Sequence, residues 1–263
     1  MVRSPDPNVV RLADRVATSR SHHTVTWVWL ATSLMEPAPT RFRIERMKQR
    51  KLGKGGPEVS LVGLGCNNFG GRLDQAATNA VVRAALDHGI TLFDTADIYG
   101  NRGGSEEMLG KALGTERNNV VLASKFGLDM GEAGQGASPT YIRKALAASL
   151  KRLGTDHLDL YQLHRPDPET PLADTLETLH ELVQAGQVRA IGCSNLSAAQ
   201  VREAARIAAD QNLTPFICAQ DEYSLLVRER QREQADGSAR QPGVPQFLKH
   251  YASSRMNPAR LRR

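Results

Sequence analysis

The strongest constraint on the fold is a strand-helix repeat between residues 47 and 226. Short apolar runs alternate there with helical stretches at a spacing of about 30 residues, which is the size of a βα unit. Strands that are apolar throughout are typical of a parallel sheet that is buried on both faces. The repeat predicts six strands, at residues 61–64, 91–93, 120–124, 158–163, 190–193 and 216–219.

The helices between these strands carry start and stop signals. Ser138 and Pro139 precede a leucine stripe that ends at Gly154, and Ser197 with Gln200 forms the pattern of a capping box. Ahead of the first strand, residues 51–59 surround a glycine turn and predict a β-hairpin. These signals place every predicted helix between two strands.

Strict alternation of strands and helices allows two architectures, an open doubly wound sheet or a closed barrel. A dinucleotide-binding turn would need a third glycine after Gly63 and Gly65, but Asn68 occupies that position. Polar or charged residues follow nearly every predicted strand. Because all strand ends of a barrel open onto one mouth, this pattern favours a (β/α)8 barrel.

Four residues at successive strand ends have the chemistry of a proton donor. Asp94, Tyr99, Lys125 and His164 would face one cavity, where the ammonium lowers the pKa of the phenol from about 10 and the carboxylate holds the ammonium. Each residue has a simpler interpretation: Asp94 with Lys125 as a structural ion pair, His164 as a rim histidine, and Tyr99 as a packing residue. Their joint occurrence favours an active site.

Five motifs occur in order along the repeat: GLGCNNFGG at 63–71, FDTADIYG at 93–100, ASKFG at 123–127, DLYQLH at 159–164 and IGCSN at 191–195. They resemble the motifs of the aldo-keto reductase superfamily. The resemblance covers residues from about 47 to 226, and it implies a (β/α)8 barrel of aldo-keto reductase type.

The resemblance implies NADPH-dependent reduction of an aldehyde or ketone to an alcohol. Tyr99 would be the general acid that protonates the carbonyl oxygen, Lys125 and Asp94 would set its pKa, and His164 would orient the substrate. No metal is required, because proton donation and hydride transfer together complete the reduction.

The resemblance also implies which residues hold the cofactor. Ser194, Asn195 and Gln220 match the family positions that bind the nicotinamide carboxamide of NADPH. A small-molecule carbonyl substrate is the only partner that these motifs imply.

Both ends of the chain depart from the repeat. Residues 1–46 are interpreted as an irregular N-terminal extension, and residues 227–263 as a divergent basic tail in which no buried strand fits. The expectation is therefore an incomplete barrel with about six of eight strands, a C-terminally truncated family member that binds NADPH weakly and has little turnover. The alternative is an inactive remnant or a cofactor-sensing interaction subunit with the same fold.

Composition excludes several classes. Three widely spaced cysteines without a CxxC pair indicate neither disulfides nor zinc, and a cytoplasmic location fits them. The net charge of +6 belongs to the ends, since residues 47–226 hold 18 basic and 21 acidic residues, a net −3. Nucleic-acid binding is therefore not expected. The apolar run 27–31 is too short to span a membrane.

Overall fold

The six strands predicted from the repeat are all present and run parallel to one another. The computed structural model describes residues 47–222 together with the strands Val25–Val28 and Gln246–His250. Each predicted strand is found within three residues of its expected bounds. The strands are β4 Val62–Gly65, β5 Leu92–Asp94, β6 Val121–Phe126, β7 Leu160–Leu163, β8 Ile191–Ser194 and β9 Phe216–Glu222.

Helices connect these strands and begin where the sequence signals indicate. Ser138 accepts a hydrogen bond from the backbone of Tyr141, the capping box of Ser197 and Gln200 is formed, and Gly154 ends its helix in the left-handed region. Buried leucines line the sides that face the sheet. The helices are α1 Gln75–Asp87, α2 Tyr99–Leu113, α3 Pro139–Leu153, α4 Leu172–Gln184 and α5 Ala198–Asp210.

The predicted hairpin is also confirmed, and it packs at the end of the barrel opposite the polar strand ends. Its strands β2 Gln49–Lys51 and β3 Glu58–Ser60 are antiparallel. Leu52 and Val59 are fully buried against residues that begin barrel strands, Leu92 among them. A side chain at Gly53 would lie 2.3 Å from the carbonyl oxygen of Ile217, so close packing requires glycine there.

Two strands that the sequence did not predict close the ring. β1 Val25–Val28 pairs in parallel with β4 and with β10 Gln246–His250, which pairs with β9. The ring order is β1, β10, β9, β8, β7, β6, β5, β4 and back to β1.

The (β/α)8 fold class is confirmed, and the strand-helix repeat supplies six of its strands. The expectations that residues 1–46 are irregular and that 227–263 hold no barrel strand are wrong for β1 and β10. The physical reason is backbone hydrogen bonding at the sheet edges, because without β1 and β10 the outer N–H and C=O groups of β4 and β9 would be unpaired. The other residues of both end segments lie outside the described part of the chain.

Within the described residues, no helix has the length and apolar character needed to cross a membrane.

We expect ring closure by β1 to contribute to stability. Thr26 pairs with Val62 on one side and Lys249 on the other, so Thr26→Pro removes a backbone donor from an interior strand. The free energy of unfolding should fall by about 3 kcal/mol in urea titrations. Thr26→Ala keeps the N–H group and is the matched control, with a much smaller loss. Equal unfolding midpoints for the proline and alanine variants would contradict the role of β1.

Candidate active site

The centre of the site is an ion pair that lies inside the barrel. Lys125 on β6 and Asp94 at the end of β5 both have side chains that are 1% exposed. The ammonium donates to both carboxylate oxygens of Asp94, each at 2.7 Å, and to the backbone carbonyl of Thr95 at 2.9 Å. Three acceptors therefore match the three hydrogens of the ammonium, as a buried cation requires.

Two glutamine side chains complete the surroundings of Asp94. Gln220 Nε2 donates to Asp94 Oδ2 at 3.1 Å, and Gln162 Nε2 lies 3.5 Å from Asp94 Oδ1 and 3.0 Å from Gln220 Oε1. No role for Gln162 was predicted from the sequence. The sequence does contain an indication of its position. Side chains alternate between the two faces of β7, so Gln162 points into the barrel while Tyr161 points outward and packs on Phe126.

Tyr99 lies beside the ion pair, as predicted, but the net direction of its pKa differs from the expectation. The ammonium of Lys125 is 5.1 Å from the centre of the Tyr99 ring. Burial raises the pKa of Tyr99, and this effect outweighs the lowering by Lys125, so that the pKa lies above its usual value of 10. Burial alone would lower the pKa of Lys125, but Asp94 and then Tyr99 raise it. Both groups therefore hold their protons at neutral pH.

His164 faces Tyr99 at the end of β7. The two rings are 5.8 Å apart between centroids and nearly perpendicular, at 85°. The backbone N–H of His164 continues the β6–β7 ladder by donating to the Phe126 carbonyl at 2.9 Å, which fixes the backbone at this strand end. The structure thus brings all four predicted catalytic residues, Asp94, Tyr99, Lys125 and His164, to one strand-end cluster.

Ser194 and Asn195 lie next to this cluster at the end of β8. Asn195 adopts a left-handed backbone with φ of 61°, which asparagine tolerates better than most residues. Its N–H donates to Asp221 at 2.8 Å, and its Nδ2 donates to the His164 carbonyl at 3.0 Å. Ser194 Oγ donates to the backbone carbonyl of Gln220 at 2.6 Å.

The third predicted cofactor residue, Gln220, has its amide group on Asp94 and Gln162, inside the barrel. Asn195 Oδ1 has no hydrogen-bond partner among the described residues, so it offers an acceptor for an amide such as that of nicotinamide. The polar edge at Ser194 and Asn195 therefore fits a carboxamide better than Gln220 does. In the described part of the chain, no group of three or more His, Cys, Asp or Glu side chains could hold a metal ion.

Comparisons with known proteins decide the family. A family model described as "Aldo/keto reductase family" matches residues 61–246. The chain belongs to this family. It is similar to aldo-keto reductase YhdN of Bacillus subtilis (strain 168), with 40% identity over 191 residues that cover 70% of this chain and 56% of the relative.

Among solved structures, this aldo/keto reductase chain is similar to the holo form of aldo-keto reductase AKR11C1 from Bacillus halodurans. The TM-score is 0.67 at 31% identity, over 77% of this chain and 65% of the other. The chain thus spans less than two thirds of the length of both relatives.

The ion pair of this aldo/keto reductase barrel should be essential to its stability. Lys125→Met leaves the buried Asp94 carboxylate without its cation, which costs about 3–5 kcal/mol of unfolding free energy. Urea titrations at neutral pH measure the loss. Adding Asp94→Asn to Lys125→Met removes the unpaired charge, so the double variant should recover part of the stability. A double variant less stable than Lys125→Met would show that the charge imbalance is not the cause.

Proposed function

We propose that this chain reduces an aldehyde or ketone to an alcohol with NADPH, and that Tyr99 is the general acid. The observation that carries the proposal is the cluster in which the Tyr99 ring lies 5.1 Å from the buried Lys125 ammonium and 5.8 Å from the His164 ring. Membership in the aldo/keto reductase family supports an oxidoreductase, since the two relatives named above are reductases.

Each residue contributes a distinct step to the proton transfer. Tyr99 donates its phenolic proton to the substrate carbonyl oxygen, and its raised pKa keeps it protonated until the substrate arrives. Lys125 stabilises the phenolate that this donation leaves, because its positive charge lies against the ring. Asp94 holds the ammonium in place through two hydrogen bonds. His164 orients the carbonyl beside the phenol.

The cofactor-binding residues in this proposal are Ser194, Asn195 and Gln220. Asn195 would accept from the nicotinamide amide through Oδ1, and Ser194 would supply its hydroxyl beside it. Gln220 would support this edge through its backbone carbonyl, which Ser194 contacts, rather than through its side chain. NADPH, when bound, supplies the hydride that the carbonyl carbon receives.

The same proposal specifies a small-molecule carbonyl compound as the partner and the cytoplasm as the location. The alternative of an inactive remnant or a cofactor-sensing subunit is not favoured, because the two relatives named above are both described as reductases. Turnover separates the two functions, since a sensing subunit binds NADPH without consuming it.

Removal of the Tyr99 hydroxyl should abolish most of the activity. In Tyr99→Phe, the ring and the ion pair remain while the proton donor is lost, so we expect kcat to fall by about 10²–10⁴-fold. The Kd for NADPH, followed by fluorescence, should change little. Thr178→Val is the control, because it removes a buried hydroxyl on α4 that donates to the Asp174 carbonyl, and its kcat should stay close to that of the unaltered chain. A Tyr99→Phe enzyme with full activity would refute the assignment of the acid.

A cofactor titration tests the expectation of weak NADPH binding. The purified chain is titrated with NADPH by fluorescence and then assayed on several aldehydes with the cofactor in excess. We expect binding weaker than that of YhdN measured alongside, and low turnover, because the similarity to YhdN extends over only 56% of that relative. Micromolar binding with steady turnover would make this expectation wrong and would leave the assignment of the reaction intact.

A further inference from the structure

Asp97 is a buried acid that has no role in the proposed proton donation by Tyr99. It lies between Asp94 and Tyr99 in the sequence, and its backbone N–H donates to the carbonyl of Lys125 at 3.1 Å. The residue is 1% exposed, yet neither carboxylate oxygen has a hydrogen-bond partner among the described residues. Asp94, three residues earlier, has several. Since a buried carboxylate without partners is costly, the ionised form of Asp97 is disfavoured.

The groups around Asp97 come from every element packed against it. Glu106 on α2 is fully buried and is already engaged, because it accepts from Ser124 at 2.5 Å and from Arg152 on α3 at 2.7 Å. The other titratable groups that face Asp97 are Lys125 on β6, Tyr141 on α3 and Tyr161 on β7. Burial, and then Glu106, raise the pKa of Asp97 to about 7, while the backbone N–H of Ile98, then Arg152 and Lys125, lower it.

The first residues of α2 after Tyr99 do not have helical backbone angles, and they form a turn that depends on packing. Gly100, Asn101 and Arg102 are all left-handed, with φ of 65°, 60° and 65°. For Asn101 and Arg102 this backbone costs about 1–2 kcal/mol per residue, so surrounding contacts have to hold it. One such contact is with Arg152, whose side chain lies so close to Gly103 that a Cβ there would be 2.6 Å from Cδ.

Arg152 therefore connects the acid with the turn. It is held by Glu106 while Asp97 is neutral. When Asp97 ionises, a second carboxylate competes for the same guanidinium, because the ammonium of Lys125 is already saturated by Asp94 and the Thr95 carbonyl. Movement of Arg152 towards Asp97 removes support from the turn at Gly103, and Tyr99 is part of that turn.

We propose that Asp97 is a positioning residue for Tyr99, and that its protonated carboxyl keeps the turn of residues 97–104 in the arrangement that proton donation requires. The positioning role concerns the structure of the turn, and its effect on catalysis rests on the proposed function. The sign follows from linkage. The folded state binds the Asp97 proton up to about pH 7, whereas an opened turn releases it at about pH 4, the usual value for Asp. The stability of the turn is therefore greatest at low pH and falls as the pH rises towards 7.

Hydrogen exchange of the intact chain tests this without any substrate. Peptides covering residues 97–104 are followed at pH 6 and pH 8, after correction for chemical exchange. Protection in the unaltered chain should fall about tenfold between these pH values, which is the change that the two Asp97 pKa values require. In Asp97→Asn, which is neutral at both, protection should not change.

The matched control is Asp87→Asn, which removes an exposed carboxyl from the end of α1 and should retain the tenfold fall. An equal fall in Asp97→Asn and the unaltered chain would overturn the proposal. If Asp97→Asn does not fold, the unaltered chain alone tests the proposal. If the protection of residues 97–104 is the same at pH 6 and pH 8, as is that of a reference peptide from α1, the proposal is refuted.

Activity gives a second readout that separates failure of this proposal from failure of the proposed function. In the unaltered chain, kcat for carbonyl reduction should fall between pH 6 and pH 8, and Asp97→Asn should lose this decline. If kcat still declines between pH 6 and pH 8 in Asp97→Asn, the decline belongs to another titrating group, which would contradict the positioning role. If neither protein reduces any carbonyl compound, the proposed function fails, while the exchange experiment still decides the role of Asp97 in the turn.

Discussion

The buried ion pair of Lys125 and Asp94 is the interaction on which the rest of the site depends. Removing two such charges from water costs several kcal/mol per ion, and the pair is tolerable only with hydrogen bonds on every side. Those bonds come from different strands: the lysine from β6, and the two glutamines that reach Asp94 from β7 and β9. The charges are therefore satisfied only when these strands are in register, so the barrel wall and the site form together.

The geometry of the ammonium explains how it acts on the phenol. Its hydrogens are directed at Asp94 and the Thr95 carbonyl, so its effect on Tyr99 is largely that of a nearby charge. Burial outweighs this charge and raises the pKa of Tyr99. A phenol that retains its proton suits the reducing direction, where the acid must be loaded before the carbonyl is attacked. The cation becomes most effective once the phenolate has formed, because opposite charges then meet in a nonpolar interior.

The sequence predicted the elements whose signals are local, and it missed those that depend on distant partners. Six strands, the hairpin and the helix caps follow from periodicity and from residues such as Ser138 and Gly154. The four proposed catalytic residues were predicted from their positions at strand ends. β1 could not be predicted, because a short apolar run becomes a barrel strand only through pairing with Val62 and Lys249, far along the chain. Asp97 was missed because its importance lies in the absence of hydrogen-bond partners, which no sequence displays.

Gln220 shows why binding and chemistry are not independent in this site. Its backbone carbonyl accepts from Ser194 at the proposed cofactor edge, while its side chain donates to Asp94 beneath the proton donor. A shift of β9 therefore changes both the edge at Ser194 and the carboxylate that holds Lys125. Because a hydrogen-bonded chain of this kind is satisfied in only one arrangement, displacement at one end leaves a buried polar group unpaired at the other. The strand that contacts the proposed cofactor edge is thus also a strand that holds Asp94 in place.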